Sequence, residues 1–593
     1  MYVRLLLIFV LTSVMTAGAQ PFVWPNAWNA DAEEIQALAA RGELPNMVLR
    51  DANQGGPRTF NRFISTESGS ANTVVGIEEA LGAGLLTINP LTDEWTPYAA
   101  ESFDVSEDGT VIDVTLREGL RWSDGTPITL DDYLLTYQIE TDPELDGPHY
   151  DGWFIDGEQI TVEATGERSL RFTFPAPDRI AFTIVGTFIP TPSQVFADVY
   201  AEGGADAVEG ILGTETDPSE LVFSAPWVLS DYVPDERLVF TRNPYYGEWN
   251  VDEAGNPLPY ISERIETIAD QQAQLNLYLA GEIDLYNPAN LDEVGAINVA
   301  AINGDINARI LENVSPVRSS SFFVFNWNLA SNPFKQDVFR DARFRRAMSH
   351  LTDREAIVEL VNGSAAAPAF SNVYQVLDFW YNPDVPRYAF DPEAALALLA
   401  DMGFTETNED GFLVDADGNE LGFTLSTNAG NANREQTLQI IADTMREYGI
   451  NVNAITLDFN LLVDQILSEG DDRPWEAILI GSSGGSRDWP FGTNTYVCTG
   501  NFHMYNRSGE CLTDEEEQMQ ALFFEGRSTL DNARAQEISY ELQNVHANLQ
   551  PIIYTVSPLA HYSWLERLGG NYPDELINTI NGSRALVLSF IRE

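Results

Sequence analysis

Lysine is almost missing from this chain of 593 residues: Lys335 stands alone, and every other permanently cationic side chain is arginine. Basic residues total 32 against 90 Asp plus Glu, a formal net charge of −58. No nucleic-acid partner is expected from that balance, because the electrostatic term for phosphate binding would be repulsive. The acidity reads as a solvated, salt-tolerant surface, with concentration of cations as the competing use. Cysteine is scarce too. Cys498 and Cys511 are the only two, they form no CxxC pair, and of the five histidines only His503 is near them. A metal site is therefore disfavoured there, and neither a metal nor another cofactor is expected. Also missing is an apolar run of the roughly 20 residues that a bilayer-crossing helix needs, so the chain is not expected to span a membrane.

With 44% apolar and 11% aromatic residues there is ample material for cores, and the length calls for two or three domains. Arg4, the short apolar run from Leu5 to Val14, and Ala17-Gly18-Ala19 before Gln20 have the form of a cleavable export signal. Cleavage is expected after Ala19, and with no cysteine beside that site a lipid anchor is disfavoured. The expected location is the periplasm or the space outside the cell. In an exported chain Cys498 and Cys511 read as a local disulfide worth about 3 kcal/mol, with two free thiols or a metal pair as alternatives.

The most informative stretch is Glu101 to Tyr137. Ile112, Val114 and Leu116 alternate with Asp113, Thr115 and Arg117, the period of a strand with one buried face. Turn residues flank it at Asp108-Gly109 and Asp124-Gly125. Thr129 is placed to cap a helix whose first turn holds Asp131 and Asp132, and Leu130, Tyr133, Leu134 and Tyr137 share one face. Two short strands, Gln159–Ala164 and Ser169–Phe174, follow, then a Pro-rich crossing at 188–192. A hairpin is expected from Trp227–Tyr232 and Leu238–Thr241, and Gly281 is placed to end a helix.

The second half alternates helices and strands. Phe344, Ala347, Met348 and Leu351 form one stripe, and Thr352 to Glu355 reads as a capping box for a helix ending at Gly363. Asp391-Pro392 starts another helix, with Ala395, Leu398, Leu399 and Met402 inward. Asp415 to Glu420 is superficially like a calcium loop but reads better as a turn between Phe412–Val414 and Leu421–Leu425. A helix near 434–448, a strand at Ile450–Leu457 and a strand at Ala477–Ile480 follow. The last opens a Gly- and Ser-rich loop. Within it Gly481-Ser482-Ser483-Gly484-Gly485 fits the nucleophile elbow of serine hydrolases, with His503, His546 and His561 downstream. That elbow must lead into a helix, whereas Pro490 and Gly492 forbid one here.

Several of these blocks carry a resemblance. The run AESFDVSEDGT…TLREGLRWSDGTPITLDDYLLTY is similar to the signature region of the family 5 extracellular solute-binding proteins, the peptide and oligopeptide receptors of ABC importers. Ser224 to Trp249, Gln274 to Tyr286 and RFRRAMSHLTDREAIVELVNG resemble further blocks of that family, in order along most of the chain. The resemblance implies an α/β, periplasmic-binding-protein type II-like two-lobe fold with an additional α+β domain in the N-terminal lobe. After the leader 1–19, the first lobe is expected from 20–70, 190–315 and 550–593, the extra domain from 71–189, and the second lobe from 316–549. It implies a monomer that binds rather than catalyses, closing on a peptide or other small solute and docking on a membrane permease.

The resemblance also implies site residues. Asp488 matches the acid that meets a peptide's ammonium group, and Trp489 and Arg487 beside it are candidate ligand contacts too; the alternative is a surface ion pair between Arg487 and Asp488. Phe325 stands where oligopeptide-binding relatives carry a Glu, so Phe325 and Asn326 are candidate contacts, with core packing the alternative for Phe325. An oligosaccharide or metal-chelate ligand on the same fold is the first rival reading. An exported hydrolase using Ser483 or a carboxylate pair is the second.

Overall fold

The computed structural model describes residues 20–593 apart from 43, 45–46, 65–73, 90–91, 93, 146, 148, 314–318, 484–488, 490–492, 501, 571–582 and 593. The alternating stretch forms the strand Val111–Leu116, buried at Ile112, Val114 and Leu116 and half-exposed between them. It pairs antiparallel with Ala100–Val105 and Ser169–Thr173, and Thr161–Ala164 completes a four-stranded sheet. Thr129 caps the helix Leu130–Glu140 as expected, and its own N–H donates to the Asp132 carboxylate at 2.7 Å. The buried surface of that helix is wider than the expected face. Leu130 and Tyr133 enter the main core, while Leu135 and Ile139 turn into a second cluster with Phe63, Phe196 and Val208. The helix Ser193–Glu209 supplies Phe196 and Val208, so Leu130–Glu140 is covered on two sides.

The expected hairpin is Trp227–Val233 against Arg237–Arg242, with a bulge between Leu229 and Asp231. Glu263–Ile268 adds to it antiparallel, and Val48–Asn53 lies parallel at the edge. A three-stranded sheet follows, with Tyr562–Leu565 between Leu285–Tyr286 and Ala308–Leu311.

A five-stranded sheet carries the second core, in the order Asn451–Leu457, Gly422–Asn428, Ala477–Ser483, Ser319–Phe325, Ile552–Tyr554. The first three strands run parallel and the last two antiparallel to their neighbours. The stripe of Phe344, Ala347, Met348 and Leu351 is buried in this core, as are Leu438, Ile441, Ala442 and Met445 of the helix Ala432–Glu447.

Two local expectations are corrected. Asp353, not Thr352, caps the helix Arg354–Asn362, accepting from the Ala356 N–H; the Thr352 hydroxyl donates back to the Met348 carbonyl. The turn expected between 412–414 and 421–425 is present, with an antiparallel bridge between Val414 and Glu420 and the Leu421 N–H donating to the Leu413 carbonyl at 2.8 Å, but the pairing stops there. Beyond it Gly422–Asn428 pairs parallel with Asn451–Leu457 inside the large sheet, and Leu413–Val414 pairs with Glu406–Thr407 as well. Burial decides this: Phe423 and Leu425 have a core to enter only in the sheet.

Candidate functional site

The two largest cores meet through polar groups. The turn after Ser169–Thr173 presents Asp178 and Arg179 to the C-terminal end of the helix Asp514–Ser528. Asp178 forms an ion pair with Arg527, and both side chains are fully buried. Arg527 Nη1 also donates to the Phe154 carbonyl at 2.9 Å. The neighbouring Arg179 grips the other side: Nε donates to the Trp489 carbonyl at 3.1 Å, Nη1 to the Thr529 carbonyl at 3.1 Å, and Nη2 to Asn532 Oδ1 at 2.8 Å. Its guanidinium stands 4.9 Å from the centre of the Trp380 ring.

A second crossing lies at the start of the helix Ala432–Glu447. Asn433 Nδ2 donates to the Ala289 carbonyl and its Oδ1 accepts from Asn290, each at 3.0 Å. The Gln271 N–H reaches the Gly430 carbonyl. The next residue, Arg434, points its Nη1 at Asn428 Oδ1, 2.8 Å away. A Cβ on Gly481 would lie 2.9 Å from Arg434 Nη2. A side chain at 481 would have to displace the guanidinium, and the backbone there has no left-handed φ. Burial pulls the Arg434 pKa down to about 10.

Of the expected site residues, Asp488 and Arg487 lie outside the described residues, as do residues 1–19 of the leader. Trp489 is described and fully buried. It packs against Trp380 with ring centres 6.2 Å apart, and its ring covers Gly526, where a Cβ has no room. Phe325 is core rather than ligand contact: it sits among Phe323, Phe339, Phe344 and Phe423, at 4.9 Å from the rings of the last two. Asn326 is likewise spent on backbone, donating to the Arg473 and Trp475 carbonyls and accepting from the Asn328 N–H. These positions face inward because Ser319–Phe325 is an interior strand of the five-stranded sheet, covered on both faces.

Cys498 and Cys511 are joined in a disulfide. Beside it His503 Nε2 and Glu516 Oε1 are 3.0 Å apart, and His503 Nδ1 is 3.0 Å from the Thr495 carbonyl oxygen. Burial pushes the Glu516 carboxyl up, but hydrogen bonds from His503, Asn506 and the Leu512 N–H outweigh it and hold the pKa below the ordinary value. Asp415 accepts from the Asp417 and Asn419 N–H groups, the hydrogen bonds of a tight turn. Among the described residues no group of three or more His, Cys, Asp or Glu could hold a metal ion, and no helix is long and apolar enough to cross a membrane. The contacts at Asp178 and Arg179 pair residues more than 300 positions apart and have no local sequence signal; Arg434 bonds Asn428 nearby but meets Gly481 only through the fold.

Comparison with known proteins agrees with this architecture. A probable ABC transporter-binding protein of Deinococcus radiodurans is 34% identical over 606 residues, spanning 99% of this chain and 100% of the relative. The oligopeptide-binding protein AppA of Bacillus subtilis, solved with a nonapeptide, superposes with a TM-score of 0.77 at 20% identity, over 93% of this chain and 100% of its own. MelB of Agrobacterium fabrum, solved with stachyose, also gives 0.77 at 21% identity, over 97% and 92%. These likenesses place the fold among the type II periplasmic binding proteins. Residues 94–503 match the model of the bacterial extracellular solute-binding proteins, family 5, and the chain belongs to that family.

Proposed function

We propose that this protein captures a peptide or a similar solute between two lobes and delivers it to the membrane permease of an ABC importer. It acts outside the cytoplasm as a monomer, once its leader is removed after Ala19. The first lobe comprises 20–70, 190–315 and 559–593, with 71–189 as an extra domain on it, and the second lobe comprises 316–558; the boundary expected at 550 moves because Ile552–Tyr554 is an edge strand of the five-stranded sheet and Val556 lies in its core. The work is binding, with no bond made or broken.

One observation carries the reading: two separately cored bodies meet through ion pairs and amide hydrogen bonds, not through a shared apolar core. Such a polar seam can part and re-form, as trapping by closure requires. Gly481 lies beside Arg434 and Trp489 accepts from Arg179, so the described residues on either side of Asp488 in the sequence sit at the two crossings. Asp488 supplies the counter-charge for a ligand ammonium group.

An oligosaccharide is the second reading. MelB is described with stachyose, and Asn290, Asn428 and Asn433 at the seam are amides of the kind that sugar hydroxyls use. The hydrolase reading finds less support: Ser483 lies opposite Ser319 in a strand pair, and His503 is engaged with Glu516 and Thr495.

Mass spectrometry of solute co-purified with the protein from its native host distinguishes these readings. A mixture of short peptides is expected; a uniform oligosaccharide population selects the second reading. Small-angle scattering on ligand addition is expected to show a smaller radius of gyration, and an unchanged profile from a demonstrably ligand-free sample rejects closure.

A further inference from the structure

The backbone passes between the two bodies twice, and one imidazole ties the two passages together. The first passage begins after Leu311, the last residue of Ala308–Leu311. The second ends at Tyr562, which pairs with Leu311 at the end of the three-stranded sheet. On the other side the Leu559 N–H donates to the Ala365 carbonyl, beside the pairing of Val556–Pro558 with Ala366–Pro368. Ala560 and His561 are thus the link in the second passage. His561 is only 3% exposed, and its Nδ1 accepts the N–H of Asn313, in the first passage, at 3.1 Å. Asn313 turns the chain there with φ at 50°, in the left-handed region that asparagine tolerates.

That hydrogen bond fixes the chemistry of the ring. A ring nitrogen that accepts carries no proton, so His561 is neutral with its proton on Nε2, and Nε2 has no partner among the described residues. Burial holds the ring neutral and lowers its pKa; pulling the other way are Glu312, beside Asn313, and then Glu293 in the first turn of the helix Leu291–Asn303. The Tyr286 hydroxyl also faces this group, donating to Glu293 at 2.8 Å. Glu293 accepts in addition from the Ala289 N–H at 2.8 Å and from the Gln271 side chain. Ala289 and Gln271 are residues that meet Asn433 and Gly430 across the seam. A charge on His561 would therefore act on both passages and on the seam.

Resting on the reading of the chain as a receptor that closes on a solute, we propose that His561 is a pH-sensitive hinge residue: neutral, it holds the two passages together in the closed form; protonated, it lets them part and the solute leave. A proton on Nδ1 sets donor against donor at Asn313 and turns the ring's charge toward Glu312 and Glu293. In the open form the ring returns to water and to the ordinary histidine pKa, above the value it has when buried. The closed form is therefore fully favoured above the ordinary histidine range, and that preference is lost as pH falls through it toward the lowered value.

Spin labels on Val299→Cys and Leu396→Cys, exposed positions on the helices Leu291–Asn303 and Pro392–Asp401, report open and closed populations by pulsed electron resonance. The probes are tryptic casein peptides and, separately, stachyose, titrated from pH 8 to pH 5 with otherwise wild-type protein, His561→Gln and Glu312→Gln. With a probe that closes the protein at pH 8, the closed-to-open ratio should fall about 2- to 12-fold by pH 5, the range of one hydrogen bond. His561→Gln offers Asn313 an acceptor that does not titrate, so its ratio should stay level. Glu312→Gln should keep the fall but move its midpoint to lower pH at an unchanged melting temperature, which a merely structural carboxylate would not do. A level ratio in wild type, an equal fall in His561→Gln or an unmoved midpoint in Glu312→Gln overturns the hinge role and leaves the receptor reading intact. A single distance that neither probe shifts at pH 8 counts against closure itself, and against the hinge role with it.

Discussion

Replacing Asp178 by Asn should open the molecule without unfolding it. In the structure the Asp178 carboxylate and the Arg527 guanidinium are both removed from water, and Arg527 has one further bond, to the Phe154 carbonyl. Asp178→Asn keeps the shape but strands a buried cation, a change that costs about 3–5 kcal/mol when the cation has no escape. Here it has one. Arg527 belongs to the helix Asp514–Ser528 and Asp178 to the turn beyond Ser169–Thr173, so parting the seam returns Arg527 to water while both cores stay packed. The penalty is therefore set by the cost of opening, and the closed population should fall by about two to three powers of ten. At a ligand concentration that closes wild type, small-angle scattering of the variant should show a larger radius of gyration than wild type, and ligand affinity should fall by about the same factor. The double variant Asp178→Leu with Arg527→Met removes both charges and should recover most of the compact form. An Asp178→Asn protein with wild-type scattering and a lowered melting temperature would refute the reasoning, because it would make the pair part of one indivisible core.

Further expectations concern buried ionisable groups, the disulfide and the ammonium site. Burial and then repulsion from Asp51 push the Glu266 carboxyl well above the ordinary value, against the pull of Arg264. Its folded form holds a proton that the unfolded chain releases, so its contribution is full below the carboxylate range and is lost as pH rises. Glu266→Gln should raise the melting temperature at pH 9 but not at pH 4; parallel profiles would contradict this. His546 is held neutral by burial, and to a lesser degree by His503, with its pKa lowered to about 3. Stability should fall as pH drops from the ordinary histidine value toward 3, by on the order of 5 kcal/mol at the limit. His546→Phe should remove one proton from that slope in acid titrations of unfolding free energy. The bridge between Cys498 and Cys511 spans a sequence separation of 13. Reducing it should cost about 3 kcal/mol, and two titratable thiols in oxidised, denatured protein would deny the bridge. Asp488→Asn should weaken peptide binding by on the order of 2–5 kcal/mol with little change in melting temperature; unchanged affinity would remove Asp488 from the site.

What the sequence made legible was whatever depends on neighbours in the chain. The alternation at Ile112, Val114 and Leu116, the cap at Thr129 and the stripe at Phe344, Ala347, Met348 and Leu351 all appear in the structure. Local patterns were less informative where a tertiary partner decided the outcome. The hairpin turn at 414–420 forms, but Phe423 and Leu425 beyond it join a parallel strand, and Phe325 packs in an aromatic cluster, because sheet order is a long-range property. The candidate site was visible only as a loop beginning at Gly481. Its cations were not. Asp178 and Arg527 are 349 positions apart, and the space that Arg434 fills next to Gly481 cannot be read from either residue's own surroundings.

The sheet formed by Leu285–Tyr286, Tyr562–Leu565 and Ala308–Leu311 has as its middle strand the segment that is made last. The second core, by contrast, draws on an almost unbroken run from Phe322 to Val556. A chain leaving a ribosome or a translocation channel amino end first can therefore complete its second lobe while the first still waits for its central strand. Position along the chain would favour early folding of the first lobe, and strand order forbids it.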